Sequence, residues 1–201
     1  SKNMVGMYNP FSLLNAFDSL EIGSYWFETG TPSYLVELLK RHDFKLDELK
    51  GNKVTANVLS AIDASSSNPI SVIFQSGYLT ISGYNERYKL YSLDFPNEEV
   101  REGFMLYLMP YYTSVSVNKT GFQISCFVEE VKSGDISGFM TRLESFFANV
   151  PYDLIKDTEN HYQNVLFILC NLCGLYTKAE FHTSNGRVDM TIETPDYVYI
   201  F

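Results

Sequence analysis

The sequence predicts a mixed α+β fold, in which short helices precede a β-hairpin, a helical pair follows, and a last helix leads into three strands. Two observations predict it. Apolar residues recur at helical spacing over several stretches, and an Asn185-Gly186 pair near the end separates two stretches of alternating apolar and polar residues. The chain has 201 residues and is 45% hydrophobic, which is enough to bury the core of one large or two small domains.

Composition narrows the setting and the partners. The net charge of -9 argues against a non-specific grip on phosphate backbones and leaves a local basic patch open. Three cysteines (Cys126, Cys170 and Cys173) form no even framework and no secretion signal is visible, so we expect a reducing, cytoplasmic setting. Apolar runs fall short of the roughly 18 residues of a membrane span, so we expect no membrane partner.

Helix signals come first along the chain. Pro10 stands at a helix start, and Thr31 followed by Pro32 predicts the N-cap and first position of a second helix. The predicted apolar stripe of the second helix is Tyr34, Leu35, Leu38 and Leu39.

A short apolar helix and a hairpin come next. Strands are predicted over 78–82 and 88–95, with a turn over 83–86. Asn97 then caps a helix whose apolar face is Val100, Phe104, Leu108 and Tyr111. Small helices followed by a hairpin are the ingredients of a winged-helix-like module. Two interpretations of the hairpin remain open, namely a DNA-reading wing with Arg87 and Lys89 near its tip, for which two basic residues are little support, or a surface that packs against another domain.

The predicted helical pair follows. Thr120 with Gln123 reads as a capping box, Gly134 as a helix stop and Asp135 as the cap of the next helix. The two helices should form a tight antiparallel pair. The stretch 149–153 then breaks the second helix and is the candidate domain boundary.

The closing helix begins at Asp157 or Thr158. One face carries its apolar residues, and Glu159 heads that face. Two interpretations of Glu159 remain open, namely a functional carboxylate or a charge that complements the helix dipole. The apolar face consists of Tyr162, Val165, Leu166, Leu169, Leu172, Cys173 and Tyr176.

A two-residue turn at Asn185-Gly186 fixes the register of the last hairpin. It places His182 opposite Asp189, Phe181 opposite Met190, and Glu180 opposite Thr191. One face is then apolar, with Met190 and Ile192. The other face is either an ordinary solvent face or a place where Asp189 and Glu180 jointly hold a hard cation. This polar face carries Glu180, His182, Arg187, Asp189, Thr191 and Glu193.

These motifs together resemble a bacterial family that couples an AAA-ATPase-like domain to a PD-(D/E)XK nuclease-like domain. The closing part matches as Glu159-x-x-Tyr162-Gln163, as Glu180-x-x-Thr183-x-x-Gly186-Arg187-x-Asp189, and as TPDYVYIF. Upstream, the strings YNPFSLLNAF, YWFETGTPSYLVELL, FQSGYLTI and FPNEEVREGF resemble the same family.

The resemblance implies three segments. Residues 1–115 are an ATPase lid-like, winged-helix-like region, 116–150 a connecting helical pair, and 151–201 a truncated α/β restriction-endonuclease-like unit of one helix and three strands. The ATP-binding domain of that family either lies upstream or is absent, since no phosphate loop occurs in this chain.

The same resemblance implies a Mg²⁺ site. Glu159 and Asp189 are its expected catalytic carboxylates and ligands, Glu180 a third ligand, and His182, Gln163 and Arg187 are auxiliary. A following strand is expected to supply a Glu-x-Lys pair, so the chain alone is expected to be inactive and the complete protein to act on DNA or RNA.

Rival interpretations remain. The chain could be a non-catalytic module that binds DNA or protein through its helical and winged region, or a complete protein whose last hairpin decorates the fold. Cys170 and Cys173 read as small buried residues, and His42 and His161 as surface or capping residues. The aromatic string 107–113 reads as core or interface because no basic residue interrupts it. An unpaired strand over 197–201 is expected to favour a homodimer.

Overall fold

The computed structural model describes residues 10–21, 25, 33–60, 68–113, 115–148, 158–174, 178–184 and 187–201. The side chains of residues 11, 117, 148, 158, 178–184 and 187–189 are not described. The predicted cap at Thr31-Pro32, the turn at Asn185-Gly186 and the boundary at 149–153 lie outside the described residues, so the three-segment division stays a prediction.

The fold is α+β, as predicted, with eight α-helices and two small antiparallel sheets within the described ranges. A 3-10 helix, Leu46–Leu49, follows the second α-helix. The helices are α1 (Pro10–Ser19), α2 (Ser33–Arg41), α3 (Ala56–Ser60), α4 (Pro69–Gln75), α5 (Glu98–Tyr112), α6 (Val117–Ser133), α7 (Ile136–Ala148) and α8 (Thr158–Cys173). The strands are β1 (Lys53–Val54), β2 (Thr80–Asn85), β3 (Leu90–Asp94), β4 (Lys178–Ser184), β5 (Arg187–Glu193) and β6 (Val198–Ile200).

The first sheet has the order β1-β3-β2. It contains the predicted hairpin, but the turn lies over 86–89 and not over 83–86, because β2 continues to Asn85. The register shifts between Ile81 and Gly83, so one extra residue is accommodated within the strand as a bulge. Strand β1 was not predicted, since two residues carry no periodicity.

Asparagine side chains cap two of the helices, of which only the cap at Asn97 was predicted. The Asn97 side chain accepts a hydrogen bond from the Val100 amide at the start of α5, and Asn68 does the same for Ile70 at the start of α4. Val100, Phe104 and Leu108 are buried as predicted, whereas Tyr111 and Tyr34 were wrongly assigned to buried faces and are exposed. In α2 the fourth buried position is Val36.

The helical pair is present, but its predicted capping box is wrong. Helix α6 starts four residues earlier, with Ser116 in place of Thr120 as the residue before the helix, so Thr120 is buried inside it and its hydroxyl donates to the Ser116 carbonyl. Gln123 instead accepts a hydrogen bond from Arg142 of α7 at 2.7 Å. The stop at Gly134, with φ of 81°, and the cap at Asp135, which accepts from the Gly138 amide, are confirmed.

Helices α6 and α7 are joined by buried rings and by charge. Phe127 contacts Phe139 and Phe146 edge-on, with ring centroids 5.1 and 5.0 Å apart. Arg142 forms an ion pair with Glu130, whose carboxylate raises the pKa of that guanidinium further. The pair is therefore a tightly packed unit, as expected.

The second sheet has the order β4-β5-β6 and packs against α8. Met190 and Ile192 are fully buried, as the predicted alternation requires. Helix α8 also packs against α5, α6 and the 3-10 helix, so one cluster of buried side chains extends from α2 to the second sheet. A helix followed by three strands at the end of the chain is confirmed.

Candidate functional site

Glu159 lies in the first turn of α8 and is exposed. Gln163, one turn later, donates its side-chain amide to a Glu159 carboxylate oxygen at 3.2 Å. Tyr162, expected to follow Glu159 on the packed face, is also exposed, so the interpretation of Glu159 as the head of that face is wrong. The reason is that α8 is also buried on the side that carries Asn160 and Asn164, two polar residues that were not part of the predicted packed face.

Two buried asparagines fix the start of α8 to the loop after α2. Asn164 donates to the Phe44 carbonyl at 2.9 Å and accepts from the Leu46 amide at 2.7 Å. Asn160 donates to both the backbone and the side chain of Asp43, at 2.6 and 3.0 Å. Buried amides that pair with backbone groups in this way hold two segments in one relative position. The signal in the sequence was a pair of asparagines four residues apart, which lie on one side of a helix.

His161 lies between these asparagines and is half-buried, not a surface residue. Its ring stacks on Tyr112, with centroids 6.2 Å apart, and its Nε2 atom is buried without a hydrogen-bond partner among the described residues. Burial lowers the pKa of His161, the Lys40 charge lowers it further, and Asp43 opposes both. The imidazole is therefore held towards its neutral form.

The predicted register of the last hairpin is confirmed. His182 lies opposite Asp189, Glu180 opposite Thr191 and Ser184 opposite Arg187. Successive residues of a strand alternate between faces, so Glu180 and His182 share a register face with Asp189. Whether Glu159 reaches this face stays a prediction.

Strand β6 extends the pairing beyond its assigned end. Phe201 and Met190 exchange both backbone hydrogen bonds, at 2.9 and 3.0 Å, and Ile200 lies opposite Thr191. The two strands are antiparallel, so residues later in β6 lie opposite residues earlier in β5. On β5, the residue before Met190 is Asp189.

Aromatic side chains of β6 and its preceding turn fix this strand to the helical pair. The Tyr199 hydroxyl donates to the Val131 carbonyl in the last turn of α6 at 2.9 Å, and the Phe201 ring stacks on Phe139 at 4.9 Å. The Tyr197 ring lies against Gly134, where an added Cβ would be 2.9 Å from the ring. These contacts were not predicted, because the sequence of a strand does not indicate which distant helix packs against it.

Carboxylate oxygens are the ligands that hard divalent cations prefer, so Glu180 and Asp189 suit Mg²⁺ in kind. Among the residues whose side chains are described, no group of three or more His, Cys, Asp or Glu could hold a metal ion. Glu180, His182 and Asp189 lie outside that set.

Cys170 and Cys173 are buried in α8 as predicted, and burial raises the pKa of Cys173 to about 12. Within the described ranges, no helix has the length and apolar character needed to cross a bilayer.

Comparison with known proteins gives this arrangement a class. Residues 157–201, which contain α8 and the second sheet, match the PD-(D/E)XK nuclease superfamily. The match covers the segment for which the sequence predicted that class, and it does not extend to an ATPase.

Over nearly its whole length the chain is also similar to a particular protein, described as an uncharacterized protein in vnfD 5'region, from Azotobacter chroococcum mcd 1. The two are 34% identical over 209 residues, which is 97% of this chain and 39% of that protein. The chain thus spans well under half the length of this relative. No solved structure matches.

Proposed function

We propose that this chain is part of a metal-dependent phosphodiester hydrolase, in which α8 and the second sheet provide part of a Mg²⁺ site. Glu159 and Asp189 are the proposed catalytic ligands, Glu180 a third ligand, and His182, Gln163 and Arg187 are auxiliary groups. The similarity of residues 157–201 to PD-(D/E)XK nucleases supports this class. An ATP-binding part elsewhere in the longer protein is a further proposal, which rests on the resemblance alone.

One observation carries the proposal. Phe201 lies opposite Met190, so a strand that continued in this register would bring its next residue opposite Asp189. The resemblance implies a Glu-x-Lys pair soon after that point. A glutamate there would complete a set of carboxylates across neighbouring strands.

The chain's own residues then have distinct tasks. Asp189 and Glu180 supply oxygen ligands from paired strands, while the Tyr199 and Phe201 contacts keep β6 in register beside them. When bound, Mg²⁺ would supply charge neutralisation at the phosphate and a lower pKa for attacking water. Gln163 holds the Glu159 carboxylate by a hydrogen bond.

The test uses a chain extended past residue 201 to include the implied pair. Asp189→Asn should lower Mg²⁺-dependent cleavage of a labelled oligonucleotide by at least roughly 10–100-fold. Losses of that size already follow from mutating residues that only contact a metal's ligands, and Asp189 is a proposed ligand itself. Asp196→Asn removes the same charge from the exposed turn before β6 and should leave cleavage near wild type. Equal cleavage by wild type and Asp189→Asn, or no Glu-x-Lys in the gene past residue 201, would refute the proposal.

A further inference from the structure

The tip of the β2-β3 hairpin, Tyr84 to Tyr91, presents aromatic rings to solvent. Tyr84 and Tyr91 lie opposite each other in the register, with ring centroids 4.7 Å apart. Tyr84 is 50% exposed and Tyr88, in the turn, is 62% exposed. Large exposed rings at one projecting tip are unusual for a surface that contacts only water.

Basic side chains accompany these rings. The Arg87 guanidinium carbon lies 5.4 Å from the centroid of the Tyr88 ring, which is cation-π range. Lys89 is exposed and has a φ of 52°, a left-handed conformation that non-glycine residues seldom adopt. Glu86 is the acidic residue of the same turn, so the tip carries a net positive charge in a chain whose net charge is -9.

We propose that the hairpin tip binds single-stranded nucleic acid. Bases that are not stacked in a duplex can stack on tyrosine rings, and the adjacent Arg87 and Lys89 can contact the phosphates that connect them. Such a surface suits a single strand better than a duplex, because the bases of a duplex are already stacked on each other and cannot stack on a tyrosine ring.

The inference deepens the proposed function, on which it relies for the choice of nucleic acid over protein as the ligand. Binding at the tip needs no metal and none of the proposed catalytic carboxylates. The two proposals can therefore fail separately, provided that binding is measured in EDTA.

The binding experiment measures the anisotropy of a fluorescent single-stranded oligonucleotide with the 201-residue chain in EDTA. In R87Q/K89Q, affinity should fall roughly ten-fold, and the slope of log affinity against log salt should shrink by about 1.4, as expected for two lost single-strand phosphate contacts. The control K119Q/K132Q makes the same change in net charge on α6, where both lysines are exposed, and should weaken binding far less. Circular dichroism confirms that each variant is folded.

Stacking is tested separately with Tyr88. Tyr88→Ala should lose roughly five-fold or more in affinity, whereas Tyr88→Phe keeps the ring and should bind like wild type. The proposal is overturned if the chain does not bind at low salt, if the control charges matter as much as the tip charges, if duplex is preferred, or if Tyr88→Ala binds normally. Tip-dependent binding by an extended chain that does not cleave would sink the nuclease proposal and leave this one standing.

Discussion

The molecule contains two three-stranded antiparallel sheets that differ in how their faces are covered. In the second sheet, Met190 and Ile192 are fully buried, and β6 is fixed to α6 and α7 by Tyr199 and Phe201. In the first sheet, five of the six residues of β2 are exposed, and Leu93 is the one buried residue of β3. Both sheets contribute to the core, through Leu93 in the first and Met190 and Ile192 in the second, but only the first leaves one strand, β2, almost wholly exposed.

The largest expected difference between the sheets is in the stability lost when a buried aliphatic side chain, Ile192, is truncated. Ile192→Ala should lower the free energy of unfolding by about 2–5 kcal/mol, because it opens a cavity beneath the second sheet. Ile81→Ala on β2, where the side chain is 45% exposed, should cost roughly 1 kcal/mol or less. Urea unfolding measures both, and equal losses would show that the first sheet is as much a part of the core as the second.

Two glycines with positive φ sharpen the same comparison. Gly134→Ala and Gly51→Ala should both cost about 1 kcal/mol from backbone strain, with φ of 81° and 71°. Gly134→Ala should cost more, because its new methyl must displace the Tyr197 ring, whereas nothing lies within 4 Å of the Cβ at Gly51. In a Tyr197→Ala background the excess should vanish. If it persists in urea unfolding, the ring contact is not its cause.

The hydroxyl of Tyr199 gives a smaller effect. Tyr199→Phe removes its hydrogen bond to Val131 and should cost about 1 kcal/mol in urea unfolding. Tyr84→Phe, the matched change in the first sheet, keeps the ring contact with Tyr91 and should cost close to nothing. A loss of the same size in both variants would contradict the assignment of Tyr199 as a strand-to-helix contact.

The smallest effect concerns pH at the start of α8. The pKa of His161 is lower in the folded protein than its ordinary value of about 6.5. As pH falls below 6.5, the imidazole is therefore protonated in the unfolded chain before it is protonated in the folded one. The stability contributed by the neutral imidazole is fully present above that pH and is lost as pH falls towards the folded pKa. His161→Gln should reduce the slope of unfolding free energy against pH between about 5 and 7. An unchanged slope would assign the pH dependence to other groups.

Local signals account for what the sequence predicted correctly. The Asn185-Gly186 pair predicted the register of β4 and β5 that the structure confirms, and Asn97, Gly134 and Asp135 marked helix ends, because such signals concern backbone within a few residues. Thr120 misled for the opposite reason. A Thr three residues before a Gln matches a capping box, but the fold buries the Thr and turns the Gln towards Arg142.

Distant partners account for the rest. The Asn164 contacts with Phe44 and Leu46, the Tyr199 contact with Val131 and the exposure of Glu159 depend on which segments meet in space. Resemblance to a nuclease family predicted the type of site, which stays a prediction, and the register places Glu180 and Asp189 on paired strands of the second sheet. Periodicity alone predicted a packed face for Glu159 and was wrong, since α8 is buried on more than one side.

The Asn164 contacts also bear on the order in which the protein folds during synthesis. The Leu46 amide and the Val131 carbonyl are satisfied by side chains 118 and 68 residues further along the chain. During synthesis these two contacts form only after residues 164 and 199 have left the ribosome, so the contacts that fix the loop after α2 and the end of α6 to the closing segment are among the later ones to form.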